Sequence, residues 1–329
     1  MTIAERKNSH IDVCLHEDVR SKISSGFENY RLIHNALPEK DFADFSVETQ
    51  FLGKRVSAPL MISSMTGGTE AGERINRNLI EAAAAMDLPF AIGSQRIYLA
   101  DQTREIFPFR KIAPKIPILA NVGAVQLNYG FTREHYLRAV EMIEADALIL
   151  HLNPLQELIQ KGGDIDFSGL LEKIEKLCAD FPVPVIAKEV GWGINAKLAK
   201  QLTDAGVSMI DAAGAGGTSW SQVESMVSRD SGMIALAAPF ATWGIPTAEC
   251  IEDIHTLYPA IRLIASGGIT NGVEAAKAVL LGAEMCGMAG VLLPAAAEGG
   301  AEDVSMVLKR VIEQYKIARF LSCGIEKIG

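Results

Sequence analysis

The 329-residue sequence has no excess of positive charge and no paired cysteine spacing. Its formal net charge of −9 argues against nucleic acid as the main partner, because no surplus of cations is available to neutralise phosphates. The five cysteines are scattered without a C-x-x-C pair, which favours free thiols in a reducing cytosol over disulfides or zinc ligands. We therefore expect a cytoplasmic protein with no nucleic-acid partner.

Membrane-spanning and common catalytic motifs are also missing. The apolar stretch 280–297 is interrupted by Glu284 and Pro294, and the first ten residues are too polar for a signal peptide, so no membrane association is expected. There is no G-x-S-x-G elbow, no P-loop and no H-E-x-x-H. Because no side-chain nucleophile stands out, we expect a bound cofactor to carry the chemistry.

Short apolar runs recur eight times, and each ends in a polar or glycine-containing turn. Such runs are typical of parallel strands that are covered on both faces. Helical patterns lie between several of them, and the first run lacks the G-x-G-x-x-G of an open dinucleotide-binding sheet. The alternation predicts an α/β fold, a TIM (β/α)₈ barrel, as a single domain over 1–329. The runs cover 59–62, 89–92, 117–120, 147–150, 184–187, 207–210, 261–265 and 283–288, and the helical patterns 72–86, 132–144, 167–180, 195–205 and 272–281.

Two segments lie outside this repeat. Residues 1–58 form an N-terminal extension, with Phe27, Tyr30, Leu32 and Leu37 as apolar material for packing. Residues 214–258 form a long insertion after the sixth strand. Long insertions on the C-terminal face of a barrel often act as lids, and we predict that role for this one.

Two glycine turns follow the last two predicted strands. They are Ser266-Gly267-Gly268-Ile269 and Met288-Ala289-Gly290. In a (β/α)₈ barrel the loops after strands 7 and 8 form the usual phosphate site, since glycines there expose backbone N–H groups. The two turns together predict a phosphorylated cofactor.

Lys188 is the strongest single candidate for chemistry. It ends the buried run 183–187, where a lysine is costly unless it meets an anion. A Schiff-base role, or a charge held beside an electron-rich ring, would use that position. The alternative is an ion pair with Glu189 or another carboxylate, and we favour a ligand role over it.

Two further clusters each leave two interpretations open. The turn 151–157 holds a histidine, two amides and Glu157, which fits either a hard cation with substrate phosphate oxygens or a helix-capping acid. Arg6, Lys7 and His10 form a compact basic group near the N-terminus. That group would clamp a diphosphate if it folds over a barrel mouth, and would otherwise belong to a solvated tail.

The chain resembles the type 2 isopentenyl-diphosphate isomerases, which are FMN-dependent barrels of isoprenoid biosynthesis. The resemblance covers nearly the whole length. The most specific part is the combination of the basic N-terminal motif with the turn 151–157, whereas the glycine turns are shared with many flavin barrels. The other matching motifs are Met65-Thr66-Gly67-Gly68, Gly93-Ser94-Gln95-Arg96, Asn121-Val122-Gly123, Lys188-Glu189-Val190-Gly191 and Gly214-x-Gly216-Gly217-Thr218.

The resemblance implies an activity and a set of ligands. The family interconverts isopentenyl and dimethylallyl diphosphate by a 1,3 proton shift, with reduced FMN as acid and base, NADPH as the usual reductant and Mg²⁺ on the diphosphate. It also implies a homo-oligomer, either a tetramer or an octamer. An electron-rich flavin would stabilise a tertiary cation beside it, and Lys188 would favour the anionic reduced form.

The resemblance also assigns roles to individual residues. The catalytic residues would be Gln156, His151 and Lys188, with Gln156 facing the double bond, and Glu157 would hold the metal. Substrate would be bound by Arg6, Lys7, His10, Ser94, Arg96, His151, Asn153 and Gln156. FMN would be bound by Ser64, Met65, Thr66, Ser94, Asn121, Lys188, Thr218, Gly267, Gly268, Ile269, Ala289 and Gly290.

This sequence departs from the family at two positions. Ala213 stands where a serine is frequent, and Thr270 where an arginine is frequent, so the cofactor phosphate is expected to depend more on backbone N–H groups. Two other functions were weighed. An FMN-dependent oxidoreductase of the 2-hydroxy-acid oxidase type would share the phosphate turns but needs a His/Asp pairing that is not obvious here. A non-catalytic phosphate-ligand binder does not explain Lys188 and the polar strand ends.

Overall fold

The computed structural model describes residues 3–101 and 103–328, and its centre is a closed barrel of eight parallel strands. Helices surround the barrel, so the predicted TIM (β/α)₈ fold is confirmed. The barrel strands are Leu60–Ile62 (β1), Phe90–Ala91 (β2), Ile118–Gly123 (β3), Ala147–Leu152 (β4), Val185–Glu189 (β5), Met209–Asp211 (β6), Leu263–Ser266 (β7) and Met285–Met288 (β8).

The barrel interior is filled by alternate residues of the strands. Successive side chains of a strand point to opposite faces, so one set fills the interior and the other packs under the helices. The interior set forms a separate apolar cluster. Residues of the other set, such as Leu148 and Leu150, belong to the larger cluster shared with the helices. The interior set comprises Met61, Ala91, Leu119, Ala147, Ile149, Ile186, Met209, Ile264 and Met285.

Five of the principal helices around the barrel begin and end within about three residues of the sequence patterns, whereas Thr247–Leu257 and Ala301–Phe320 were not predicted. Their ends follow ordinary capping rules: Thr69 and Asn195 each accept a backbone N–H at a helix start. The principal helices are Glu70–Ala85, Arg133–Glu141, Leu170–Cys178, Ala196–Asp204, Thr247–Leu257, Gly272–Leu280 and Ala301–Phe320. Shorter ones are Arg96–Ala100, Phe109–Ile112, Pro154–Ile159, Leu293–Glu298 and the 3₁₀ turns Phe27–Asn29, Ala124–Asn128 and Ala238–Thr242.

Residues 3–58 contribute three elements to the barrel. Helix Ile3–His16 lies against helix Trp220–Ser228, strand Tyr30–His34 pairs with the C-terminal strand Ser322–Lys327, and a hairpin of Thr49–Phe51 and Lys54–Val56 packs Phe51 into the interior cluster. Phe27 and Tyr30 are buried as expected. Leu37 is 72% exposed, so the expectation that it packs is wrong. It lies in the loop after the strand, where no other element covers it.

The long connection between β6 and β7 carries helices Trp220–Ser228 and Ser231–Ala237 before the barrel helix Thr247–Leu257. That last helix packs on β7 as an ordinary barrel helix does. The additional segment of this connection is therefore 212–246. The lid role of 214–258 stays a prediction. Among the described residues, no helix is both long and apolar enough to cross a membrane.

Close helix packing depends on a glycine. A Cβ on Gly272 would lie 2.2 Å from the Tyr315 backbone N and 2.3 Å from the Val311 O of helix Ala301–Phe320. We expect Gly272→Ala to lower the free energy of unfolding by about 1–3 kcal/mol, because the clash is with backbone that has to move. Gly300→Ala is the matched control, since a Cβ there meets nothing within 4 Å. Denaturant unfolding of both variants checks this, and equal losses would contradict it.

Candidate active site

A layer of six polar residues and two glycines follows the apolar interior at the carboxyl ends of the strands. Each member lies two residues after an interior residue and therefore points inward as well. In register, His151 lies beside Lys188 and Lys188 beside Asp211. The layer brings together several residues that are far apart in sequence, among them three predicted site residues. Its members are Ser63, Gly93, Asn121, His151, Lys188, Asp211, Ser266 and Gly287.

Lys188 is held by a carboxylate and a hydroxyl of the next two strands. Its Nζ lies 3.0 Å from the Asp211 Oδ2 and donates to the Ser266 Oγ at 2.8 Å. Ser266 in turn donates to the Asp211 Oδ1 at 2.5 Å. All three residues are buried, so the ion pair that we weighed against a ligand role is present. The ring of contacts fixes the ammonium in the inner layer, where it also remains next to His151.

Glu189 is not the partner of Lys188. It is the next residue along β5, so it points away from the barrel interior. Its Oε2 accepts the backbone N–H groups of residues 190–193 at 2.5–3.2 Å. Burial nevertheless raises the pKa of Glu189 to about 7. This carboxylate therefore organises the loop after β5 and takes no part in the inner layer.

His151 is neutral at physiological pH. Burial, together with the charges of Lys188, Lys7 and Arg96, lowers the pKa of His151 to about 4. Its Nδ1 lies 2.7 Å from the Asn121 Oδ1, and since an amide oxygen only accepts, Nδ1 carries the proton of the neutral ring. His151 thus stands where several positive charges meet, a place suited to an anion.

The basic group of the N-terminal helix reaches the turns after β1 and β2. The Lys7 Nζ donates to the Gly67 O at 2.7 Å and to the Ser94 O at 3.0 Å. Burial and the nearby charges of Arg6, Arg104 and Arg96 lower the pKa of Lys7 to about 8. The group is therefore part of the barrel mouth and not a solvated tail.

A buried carboxylate of the insertion joins three segments. The Glu224 Oε1 lies 3.0 Å from the His10 Nε2 and accepts from the Gln156 Nε2 at 2.8 Å. Glu224 is 4% exposed, and the His10 ring also contacts Trp220 edge-on at 5.4 Å between centroids. Helix Trp220–Ser228 and the N-terminal helix thus close over the β4 turn that carries Gln156.

Glu157 is buried in the first turn of helix Pro154–Ile159, and burial raises its pKa. Its oxygens accept from the Asn153 Nδ2 at 3.0 Å and from the Asp164 backbone N at 2.8 Å. The Asp164 carboxylate forms an ion pair with Arg96 at 2.6 Å. No group of three or more His, Cys, Asp or Glu able to hold a metal occurs among residues 3–101 and 103–328. A cation here would need oxygens of the substrate as further ligands.

The turns after β7 and β8 fit the phosphate end of a flavin cofactor. Within the described chain, the N–H groups of Gly267, Gly268, Ala289 and Gly290 have no acceptor. A Cβ on Gly267 would lie 2.1 Å from the Gly214 O, so the β7 turn packs with no space for a side chain. A Cβ on Gly290 would lie 3.6 Å from the Thr218 Oγ1, which brings this predicted ligand to the same place.

Two hydroxyl groups at the end of β1 also lack a hydrogen-bond partner among the described residues. The Oγ atoms of Ser63 and Ser64 are buried without a hydrogen bond in the described part of the chain. Buried hydroxyls are normally paired, so these two fit the polar edge of a bound ring. Met65, Thr66 and Ser94 are half-buried in the adjoining turns, and Ile269 is buried behind the β7 turn. FMN therefore fits the groups that line the mouth.

The two departures from the family occupy different environments. Ala213 is buried with a φ of 41°, and its carbonyl accepts the Gly193 N–H. Thr270 is exposed, and its backbone N and its hydroxyl both donate to Glu274. An acidic contact at this place leaves the phosphate turns without a cation from residue 270.

The sequence did not predict the site residues Asp211, Asp164 and Glu224. It also did not predict that Ser266 contacts Lys188. Asp211 had a usable signal, because it lies two residues after the apolar Met209 at a strand end, just as Lys188 follows Ile186. Glu224 had none, since its partners come from distant segments and its helix shows no distinctive spacing.

The fold and these turns define a class, the FMN-binding barrels. Residues 15–110 and 154–328 match the model of the FMN-dependent dehydrogenase family. Solved structures agree on the fold: a flavocytochrome b2 variant with pyruvate bound has a TM-score of 0.69 at 15% identity, covering 95% of this chain and 78% of that one. A mandelate oxidase with (S)-2-phenylpropionate has a TM-score of 0.64 at 17% identity, covering 97% and 93%.

Relatives at much higher identity specify the group within that class. Proteins named isopentenyl-diphosphate delta-isomerase are 50% identical in Nostoc sp., covering 92% of this chain and 88% of the relative, and 48% identical in Oceanobacillus iheyensis, covering 97% and 91%. One from Stutzerimonas stutzeri is 46% identical and covers 100% and 95%. The chain belongs to the isopentenyl-diphosphate delta-isomerase family, and the resemblance read from its motifs is confirmed.

The lowered pKa of Lys7 predicts a pH dependence for anion binding. As the pH rises through about 8, Lys7 loses its charge, so the affinity for inorganic pyrophosphate should fall about tenfold between pH 7 and 9. Calorimetric titration at several pH values measures this. Lys7→Gln should bind weakly at pH 7 and lack the step attributed to Lys7. The exposed Lys115 gives the control, because Lys115→Gln should keep the full profile. An unchanged profile in Lys7→Gln would refute the assignment.

Proposed function

We propose that this protein interconverts isopentenyl diphosphate and dimethylallyl diphosphate by a 1,3 proton shift, with reduced FMN as the acid and base. The observation that carries the proposal is that two groups of residues, one suited to a flavin and one to a diphosphate, lie next to each other at the same barrel mouth. The inner polar layer lies beside the phosphate turns, and a cluster of cations lies above it. Family membership supports the flavin for the first group and a diphosphate for the second.

The cation cluster binds the diphosphate of the substrate. Lys7, Arg6 and Arg96 supply positive charge, and the neutral His151 lies beneath them with its unprotonated Nε2 able to accept a hydrogen bond. Burial, and after it the nearby positive charges, lower the pKa of Lys7, so a bound anion would stabilise its charged form. His10, Ser94 and Asn153 complete the proposed substrate contacts.

The inner layer orients the flavin. When bound and reduced, FMN supplies the acid and base for moving a proton between the two ends of the alkene. Lys188 presents a fixed positive charge to the ring, and Asn121, Ser64, Met65, Thr66 and Ser94 line it. Thr218, Gly267, Gly268, Ile269, Ala289 and Gly290 hold the phosphate end.

Gln156 faces the reacting double bond. Its amide nitrogen is occupied by Glu224, and its Oε1 accepts from the Asn153 Nδ2 at 3.1 Å. Both ends of the amide are thus fixed before substrate arrives, and the side chain needs no reorganisation to orient the isoprene unit. Helix Trp220–Ser228, which lies over this turn, would act as the predicted lid and exclude water from a cationic transition state.

Further ligands and the assembly state follow from the same proposal. Glu157 holds Mg²⁺ against the diphosphate, with one carboxylate plus phosphate oxygens as the usual arrangement for this ion. NADPH supplies the reducing equivalents. A tetramer or octamer and a cytoplasmic location remain predictions of the family resemblance. An oxidase acting on 2-hydroxy acids has no support in the names of the relatives at 45–50% identity.

The direct test is an isomerase assay with isopentenyl diphosphate, FMN, NADPH and Mg²⁺, in which each component is omitted in turn. Product is detected as dimethylallyl diphosphate, and NADPH consumption is followed in the same tube. We expect many turnovers for each NADPH oxidised and loss of activity without flavin. Undiminished isomerisation without flavin would end the proposal, and stoichiometric NADPH oxidation would favour an oxidoreductase.

The role of Lys188 is separable from its contribution to folding. Lys188→Met alone would leave the buried Asp211 carboxylate without a cation and lower the stability by roughly 3–5 kcal/mol. The variant Lys188→Met with Asp211→Asn removes both charges and should fold with a smaller loss. We expect its turnover to fall by about a hundredfold, since a charge aimed at the transition state is missing. Thermal unfolding and steady-state assays of both variants measure the two effects. Full turnover in the double variant would show that Lys188 has no role in the reaction.

A further inference from the structure

A segment of the N-terminal extension crosses the turn after β6. We call residues 19–26 the N-terminal strap. The Ser219 N donates to the Val19 O at 2.8 Å, and the Ser21 N donates to the Gly217 O at 2.8 Å. Between them Arg20 forms an antiparallel bridge with Thr218. The strap is therefore fixed to the turn that carries Thr218.

Ser25 of the strap lies against Gly216 of the β6 turn and Gly268 of the β7 turn. A Cβ on Gly268 would lie 2.9 Å from the Ser25 Cβ, and a Cβ on Gly216 would lie 2.3 Å from the Ser25 N. On the far side, a Cβ on Gly217 would lie 2.8 Å from the Gly268 N. Ser25, the β6 turn and the β7 turn thus form one contiguous surface.

The polar groups of Ser25 have no partner. The residue is 8% exposed, yet neither its hydroxyl nor its backbone N–H makes a hydrogen bond within residues 3–101 and 103–328. The neighbouring Ser24 differs, because it is exposed and its hydroxyl donates to Glu28. Unlike the Ser63 and Ser64 Oγ atoms, which are fully buried, the unpaired Ser25 Oγ keeps some accessible surface, so a ligand can reach this hydroxyl.

We propose that Ser25 is a further ligand of the cofactor phosphate, donated by the N-terminal strap. The phosphate turns offer backbone N–H groups but receive no cation from position 270, where Thr270 is bonded to Glu274. A phosphate oxygen accepts hydrogen bonds strongly, and the hydroxyl and N–H of Ser25 are two free donors next to those turns. The strap follows helix Ile3–His16, which carries the proposed substrate residues Arg6, Lys7 and His10. It would therefore connect cofactor binding with substrate binding along the chain.

The test compares two flavins that differ only in the phosphate. Flavin-free protein is titrated with FMN and with riboflavin, and the quenching of flavin fluorescence gives the dissociation constants. Ser25→Ala should weaken FMN binding by about tenfold or more, since a hydrogen bond to a charged group is lost, and should change riboflavin binding less than about twofold. Ser24→Ala is the matched control and should alter neither constant.

The inference rests on the proposed FMN site, but the readout is flavin binding and needs no isomerase activity. An inactive protein that binds FMN with the expected Ser25 effect would refute the isomerase and leave this inference intact. Equal weakening of FMN and riboflavin would give Ser25 a structural role only and overturn the inference, as would unchanged constants for both flavins.

Discussion

A closed eight-stranded barrel admits one inward residue from each strand at its mouth, and the site depends on how that layer is filled. The larger polar side chains come from β3 to β6, namely Asn121, His151, Lys188 and Asp211. The strands on the other side, β8, β1 and β2, contribute only a serine and two glycines. The unpaired Ser63 and Ser64 hydroxyls and the glycine turns lie on that side. Hydroxyls and free backbone N–H groups suit the polar edge of a ring and a phosphate.

Charge is distributed in two levels above the apolar interior. In the inner layer, Asp211 balances Lys188 and His151 stays neutral, so the layer has little net charge while keeping a fixed ammonium. Above it, the charges of Arg6 and Arg96 add to the effect of burial on the pKa of Lys7, and Arg96 is paired with Asp164. A chain with a net charge of −9 therefore still gathers several cations at one part of its mouth. Local arrangement, and not total charge, decides which anion such a protein can hold.

The sequence predicts the barrel because continuous apolar runs, and the polar or glycine turns that end them, are local signals. Lys188 is found by the same logic: an ionisable residue that ends an apolar run needs a partner. Which partner it takes is not a local property. Register across β5 and β6 selects Asp211, whereas the alternation of the strand turns Glu189 outward. Glu224 and Ser25 escape detection for a related reason, since each gains meaning only from segments distant in the chain. The exposed position of Leu37 shows that apolar composition alone does not predict packing.

The N-terminal segment acts on its own barrel at two levels. His10 reaches Glu224, and through that carboxylate the N-terminal helix is joined to Gln156 on the β4 turn. The strap, a few residues later, contacts the β6 and β7 turns through Ser21 and Ser25. One continuous stretch therefore touches the substrate side and the cofactor side of the mouth. Because both contacts are made within one chain, the N-terminal segment joins the Gln156 turn directly to the phosphate turns.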